Sequence, residues 1–428
     1  MQFVETATEA KKLVDLLDAN PCILHVYYQN NNIHPVDNKP LALMAKVNED
    51  YYIVSFNHPD SIKISEEYLA MIFATNSEKV IFDRKRLLYH VSDIKNAVDG
   101  LVCSYLNSTE VLEVSYPSRS HDFRSIPIMK LFNHFKELCS LVTPMRFPPE
   151  LVTYEHEFSN SLFGIEKHGM YVENFNLGNH NLVNKDNLVF TQYNMLTPTG
   201  RPSNSFGNVN YVALNKKTGQ RDCFKSRFGD SGLLVMVDYE SYHLRLVGNF
   251  LNYSLPDTSI HEYLGKIYHN KETLTEDEYE LSKKITFNLI YGGIDDDIKN
   301  NVPFMREISE YIDRTYKEFT LNDYVETWQY NRKIKASFFG KKINPNKVFN
   351  YLLQAAETER NCKVLSEINS HISQKQSKLI LYTYDAFLFD VHRDEFSIIK
   401  KLDNIITSDD RYPVRTYIGK SYGAMREL

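Results

Sequence analysis

The chain has 428 residues but only five cysteines, Cys22, Cys103, Cys139, Cys223 and Cys362, and no CxxC spacing among them. That excludes a zinc ribbon and a disulfide framework and reads as reduced thiols in a cytosolic protein. No apolar run approaches the roughly 20 residues that cross a bilayer. The opening MQFVETATEAKK lacks the apolar core of a secretory signal. The expectation is a soluble, cytoplasmic protein without a membrane partner. There is no excess of positive charge either. With a net charge of −6, any contact with nucleic acid must come from local basic patches. Repeats and low-complexity tails are absent. Aromatic residues are abundant: 29 Tyr and 25 Phe allow a substantial core, and the length predicts two or three domains.

One stretch organises the rest. Leu233–Val237 is a continuous apolar run, reads as a buried strand and ends on Asp238; the following YESYHLRL has a helical apolar rhythm. A carboxylate at the tip of a core strand is costly unless a cation meets it. A second run, KLILYTYDAFLFDV, has the same form: a strand over 378–383, Tyr384 and Asp385 at a turn, and a returning strand over 387–391. Two acids at adjacent strand ends of one sheet suit two Mg²⁺ ions and attack on phosphorus.

Elsewhere, Thr6 to Glu9 is a capping box opening a helix through Leu17. Strands are expected at 22–28 and 41–54, a helical segment from Tyr154 to about Gly169, and helices across 259–269, 275–290 and 303–318. FGDSGLL at 228–234 invites a serine-protease reading. The residues after Gly232 are Leu233 and Leu234, and the chain is rich in helix, so a tight turn entering the strand explains it better. The basic clusters KSRF, NRKIK and GKK are candidates for tracking DNA, or simply a solvated face.

Several segments together resemble the family A (Pol I-like) DNA polymerases. They are TGR at 199–201, GQR at 219–221, the strand ending in Asp238-Tyr239, LSKKITFNLIYGG, FFGKK, FNYLLQAAE, TYDAFLFDV and the closing PVRTYIGKSYG. They follow the family's order over residues 154–428. The resemblance implies a multidomain α+β fold: an RNase H-like α/β N-terminal domain, then a right-hand palm and fingers with the thumb largely missing. The expected division is 1–110 as a degenerate 3′–5′ exonuclease domain, 111–153 as a connector and 154–187 as a vestigial thumb. The palm is expected at 188–256 and 337–428, with the fingers at 257–336.

The resemblance also implies roles. Asp238 and Asp385 hold two Mg²⁺ ions, with Mn²⁺ tolerated and the carbonyl of Tyr239 as a further ligand. Lys283 meets the triphosphate and His261 its β-phosphate. Phe287 packs on the incoming nucleotide and, by family analogy, discriminates against dideoxynucleotides. Tyr291 stacks at the template position, and His243 stands where a glutamate screens the sugar 2′ position. Arg201, Asn208, Asn350, Gln354 and Tyr384 fall at DNA-contacting positions. The partners implied are primer-template DNA and dNTPs, in a bacterial host cell if the chain is phage-encoded.

Departures from the pattern carry information. Tyr279 stands where the nucleotide helix has an arginine, leaving a phosphate contact to Lys284 or to an arginine elsewhere. Tyr384 and Ala386 flank Asp385 in place of a histidine and an acid. Only residues 170–198 separate Gly169 from Thr199, too few for a long thumb, so low processivity and a processivity partner are expected. The first strand, ILHVYY, lacks the Asp-x-Glu of a proofreading site, with only Asp83 and Asp99 nearby, so no exonuclease activity is expected. Two alternatives stay open: a catalytically inactive DNA-binding accessory subunit, and a primase or RNA-polymerase-like variant of the same palm.

Overall fold

The computed structural model describes residues 1–108, 122–142, 149–178, 180–408 and 411–428. Much of the expected connector, at 111–121 and 143–148, lies outside the described residues. The chain forms two compact units, Met1–Lys167 and His168–Leu428. The segment 154–187 straddles that boundary.

The first unit is built on a six-stranded sheet. Its elements begin with β1 (Gln2–Val4), α1 (Ala7–Ala19), β2 (Cys22–Tyr28), β3 (Pro40–Val47) and β4 (Asp50–Ser55). They continue with α2 (Glu67–Phe73), β5 (Lys79–Ile81), α3 (Arg84–Leu87), β6 (Ala97–Asp99), α4 (Gly100–Ser108), α5 (Ile128–Val142) and α6 (Pro149–Glu166). The strand order is β1-β4-β3-β2-β5-β6. β2, β3 and β4 run antiparallel, whereas β5 and β6 extend the sheet parallel to β2. The expected capping box starts α1, with Thr6 accepting from Glu9 N–H. The single strand expected over 41–54 is instead a hairpin, because Asn48 turns the chain with φ 53°. Alternation along the central strands loads both faces. Leu24, Val26, Leu43 and Ala45 pack with α1 and α2 side chains such as Leu13, Leu17 and Ile72. Tyr27, Ala42 and Met44 pack on the other face with Leu131, Phe135 and Leu138 of α5.

The second unit opens with short pieces, β7 (Met170–Tyr171), β8 (Leu188–Val189), β9 (Tyr193–Asn194) and β10 (Ser203–Asn204), separated by 3₁₀ turns. Among the described residues no α-helix lies between Gly169 and β11 (Gly232–Tyr239). The GDSG motif is a 3₁₀ turn, Gly229–Ser231, entering that strand, with Gly229 at φ +55°. Next come the helices α7 (Tyr242–Leu251), α8 (Ile260–His269), α9 (Glu276–Gly292), α10 (Asp296–Asn301) and α11 (Pro303–Asn322). β12 (Tyr324–Glu326) and β13 (Lys333–Lys335) pair antiparallel and lead to α12 (Pro345–Ile372). The chain ends with β14 (Lys378–Tyr382), β15 (Ala386–His392), α13 (Ile398–Thr407), β16 (Val414–Gly419) and β17 (Met425–Glu427).

These last strands and β11 form a five-stranded antiparallel sheet in the order β14-β15-β11-β16-β17. β11 lies at its centre, which explains its unbroken apolar run. α12 is buried along most of its length, through Val348, Leu352, Ala355, Cys362, Leu365 and Ile368. α8 and α9 approach closely at Gly265, where a Cβ would come within 2.5 Å of Ser282 Oγ. Glycine at that position is a packing requirement.

Candidate active site

The ends of β11 and β15 meet. Asp238 pairs with Ala386 across the ladder, and Tyr239 N–H donates to the Asp385 carbonyl at 2.9 Å. Asp385 therefore sits on the tight turn that starts β15, one position beyond the partner of Asp238. The turn is shaped by Tyr384, whose φ of 77° is left-handed and strained for an aromatic residue. What holds it is Asn361 of α12, whose side-chain amide donates to the Tyr384 carbonyl at 2.6 Å and to Tyr382 Oη at 3.0 Å. The Oδ1 of the same side chain accepts from Tyr239 Oη at 3.2 Å and from Tyr242 Oη at 2.8 Å. One buried residue thus ties both acid-bearing segments together. Beside it, Arg360 donates to Tyr239 Oη at 2.6 Å and covers the ring of Tyr412 at 3.7 Å.

The two aspartates open into a cleft of about 490 Å³. Burial, and then the neighbouring Asp385, push the Asp238 carboxyl up to about 7. Asp385 stands exposed at its turn. Its pKa is nevertheless raised, by the protein packed around the carboxyl and then by Glu357. Among the described residues no group of three or more His, Cys, Asp or Glu side chains forms a metal cage. Two hard oxygen donors at a cleft, held close enough to oppose each other's ionisation, are the donor set that Mg²⁺ uses when a substrate phosphate completes its shell. The residues fit that metal.

One wall of the cleft is α9. Lys283, Phe287, Ile290 and Tyr291 line it, along with Tyr279. Phe287 and Tyr291 stack with ring centroids 6.0 Å apart, and His261 of α8 lies 5.5 Å from Phe287. Burial, and then Lys283, lower His261 to about 4, so it is neutral at physiological pH. Lys283 pairs with Glu280 at 2.8 Å and lies over the Tyr279 ring. His243, on α7, meets Tyr291 Oη through Nδ1 at 2.5 Å, and its Nε2 lies 3.3 Å from the buried Glu357. Glu357 also holds Arg201 at 3.1 Å, and the Arg201 guanidinium covers the Tyr384 ring at 3.9 Å.

The sequence-predicted residues thus converge with one exception. Asp238, Tyr239, Asp385, His243, His261, Lys283, Phe287, Tyr291 and Arg201 line one cleft. Tyr384, Gln354 and Asn350 adjoin it: Gln354 Nε2 reaches Asn350 at 3.4 Å and Oε1 accepts from Thr199 at 3.3 Å. Asn208 does not line it. It is an exposed turn residue with φ 66° between the bridged Phe206 and Val209. The basic clusters divide. In KSRF, Arg227 is bound to the buried Asp390 at 2.9 Å and to the carbonyls of His168 and Gly169, and Lys225 pairs with Glu173. In NRKIK, Arg332 donates to the Thr199 carbonyl at 2.7 Å. These side chains hold the unit together and are not free for DNA, whereas Lys341 and Lys342 are exposed.

Sequence reasoning missed Glu357, Asn361 and Arg415. A signal was present for the first two. Asn350, Gln354, Glu357 and Asn361 recur at spacings of four, three and four on α12, a polar stripe along one face of an otherwise buried helix.

No family model matches the chain. It is similar in fold to the POL domain of Pol1 from M. smegmatis, solved in complex with DNA primer-template and dNTP. The TM-score is 0.72 at 13% identity, covering 99% of each chain. The fold is therefore a multidomain α/β polymerase-domain fold of palm and fingers. In sequence, DNA polymerase I of Bacillus subtilis (strain 168) is 24% identical over 247 residues, 50% of this chain and 28% of that protein. A DNA polymerase of Bacillus phage SP01 is 28% identical over 163 residues, 32% of this chain and 17% of that protein. The chain thus matches less than a third of the length of either curated relative.

Proposed function

We propose that the chain is a DNA-templated DNA polymerase, transferring a nucleotidyl group from a dNTP to a primer 3′-hydroxyl. The observation that carries this reading is the convergence of Asp238 and Asp385 with the α9 face of Lys283, Phe287 and Tyr291 in one cleft. The fold likeness and the two polymerase relatives support it. Mg²⁺ held by the two aspartates and the Tyr239 carbonyl would supply a lowered pKa for the primer hydroxyl and neutralisation of charge on the phosphates.

The chain's own residues do the rest. Lys283 offers a point charge to the triphosphate, and neutral His261 a hydrogen bond beside it. The Phe287 ring, 45% exposed, presents a flat apolar face to a sugar and base. Tyr291, held by His243, closes the template side. The buried Glu357 fixes both His243 and Arg201, so the wall beside Asp385 is rigid. This suits orientation of a reactant, which is where phosphoryl transfer gains most of its rate.

Two further parts belong to the proposal. The absence of α-helix among the described residues between Gly169 and β11 supports a reduced thumb, hence few duplex phosphate contacts, short synthesis per binding event and reliance on a partner protein. In the first unit, β2 carries no acid, Asp83 caps α3 by accepting from Arg86 N–H, and Asp99 accepts from Arg84 and Leu101 N–H. Acids engaged in this way support an exonuclease-like domain without exonuclease activity.

The test is primer extension on primed DNA with Mg²⁺, wild type against Asp385→Ala, with deoxy- or ribonucleotides. Deoxynucleotide extension lost in the variant supports the reading. Extension with ribonucleotides favours a primase-like enzyme instead. Tight DNA binding with no extension makes it an accessory subunit.

A further inference from the structure

We propose that Arg415, on β16, binds the triphosphate of the incoming nucleotide and supplies the phosphate contact absent at Tyr279. This rests on the polymerase reading above.

The register places it. Arg415 pairs directly with Asp238 across β11 and β16, and cross-strand partners project from the same face of a sheet. β16 flanks β11 on the side opposite β15, so Arg415 and Asp385 lie on either side of Asp238. Arg415 lines the cleft together with Glu240, Tyr279 and Lys283. A strand cation and a helix cation therefore face one space whose floor holds a carboxylate, as a polyanion carried by divalent cations requires.

Elimination points the same way. Lys284 is exposed and does not line the cleft. Arg201 lines it but is bound to the buried Glu357 and stacked on Tyr384. Arg245 is buried and donates to the Thr258 carbonyl. Arg221 donates to the Leu214 carbonyl and stacks on Tyr422. The guanidinium of Arg415 instead meets Glu240 at 3.4 Å with its side chain 40% exposed. The pair is long and partly solvated on the arginine side, so a phosphate can displace the carboxylate. Lys283 is in the same condition, paired with Glu280 at the rim. Both cations are parked on carboxylates that a triphosphate can replace, and the fork of arginine matches two phosphate oxygens at once.

The experiment measures dNTP KM in primer extension, and tripolyphosphate binding in Mg²⁺ by calorimetry, for wild type, Arg415→Ala, Arg415→Lys and Glu240→Gln. The expected result for Arg415→Ala is a KM and a tripolyphosphate Kd raised about tenfold or more, with primer-template affinity and melting temperature held. Arg415→Lys should recover part of the loss, and Glu240→Gln should tighten tripolyphosphate. Wild-type KM and tripolyphosphate binding in Arg415→Ala overturn the inference. So does a change confined to kcat and its pH profile, which would make Arg415 a partner of Asp238 only. The calorimetric arm needs no turnover, so failure of extension in the wild type tells against the polymerase reading and leaves Arg415 separately decided.

Discussion

Each unit of this protein carries a pair of acids, and the two pairs have opposite surroundings. In the second, Asp238 and Asp385 stand at adjacent strand ends; in the first, Asp99 ends the edge strand β6 and Glu155 lies on α6. In the first unit Asp99 and Glu155 are buried together, and both pKa values are raised, first by burial. Both oxygens of Asp99 accept from backbone N–H groups, and Glu155 Oε1 accepts from Ser159 Oγ–H at 2.6 Å while its Oε2 lies 3.5 Å from His156 Nε2. In the second unit Asp238 and Asp385 face a cleft lined with cations, and the supporting bonds go to the backbone around them through Asn361. A carboxylate at a strand end is therefore no site in itself. Whether its oxygens are consumed by the fold or left for something else to meet makes the difference.

The largest expected effect tests that contrast directly. Asp238→Asn and Asp385→Asn should each lower primer extension by roughly a thousandfold or more, with little loss of melting temperature. Asp99→Ala should leave extension within about twofold and destabilise the first unit by about 1–3 kcal/mol, read by urea denaturation. Equal losses of activity from the three variants would erase the distinction.

Asn361→Leu comes next. It removes the amide that holds the left-handed Tyr384 and the hydroxyls of Tyr239, Tyr242 and Tyr382, so kcat should fall about tenfold to a hundredfold while dNTP KM moves less. Loss of KM alone would mean that Asn361 does not position the acids.

A smaller change is expected at the cleft wall. His243→Ala frees Tyr291 and empties the space beside it, which should raise ribonucleotide incorporation relative to deoxynucleotide by about tenfold, measured as the ratio of kcat/KM values. An unchanged ratio would remove His243 from sugar selection.

The smallest effect is a pH slope. Because the folded pKa values of Asp99 and Glu155 are raised, the folded state binds more protons than the unfolded one above the ordinary carboxylate range near pH 4. Their contribution to stability is thus largest at low pH and declines as pH rises through the raised values. Glu155→Gln should flatten that decline in melting temperature. A wild-type slope in the variant would show that the pair does not titrate as its burial demands.

Much of the second unit was legible in the sequence, since its signals are local. The apolar run into Asp238, the strand–turn–strand around Asp385 and the four-residue spacing of Lys283, Phe287 and Tyr291 each follow from period and turn chemistry. The hairpin within 41–54 is marked only by Asn48-Glu49-Asp50, a polar break in the apolar run that does not by itself give the left-handed turn. Arg415 was hidden for a different reason: its importance lies in what stands opposite it, and cross-strand register is non-local. The basic clusters misled in the reverse direction, because Arg227 and Arg332 spend their charge on carbonyls and buried acids.

The register of β11 against β15 sets a rule for how this chain tolerates change in length. Side chains alternate faces with a period of two, so one residue added to or deleted from 383–385 shifts Asp385 relative to Asp238 and turns every later side chain of β15 to the wrong face. The connections at 252–257 and 270–273 take no part in that pairing and do not line the cleft. Insertions and deletions should therefore accumulate there among descendants of this gene, while the short turn at Tyr384 keeps its length.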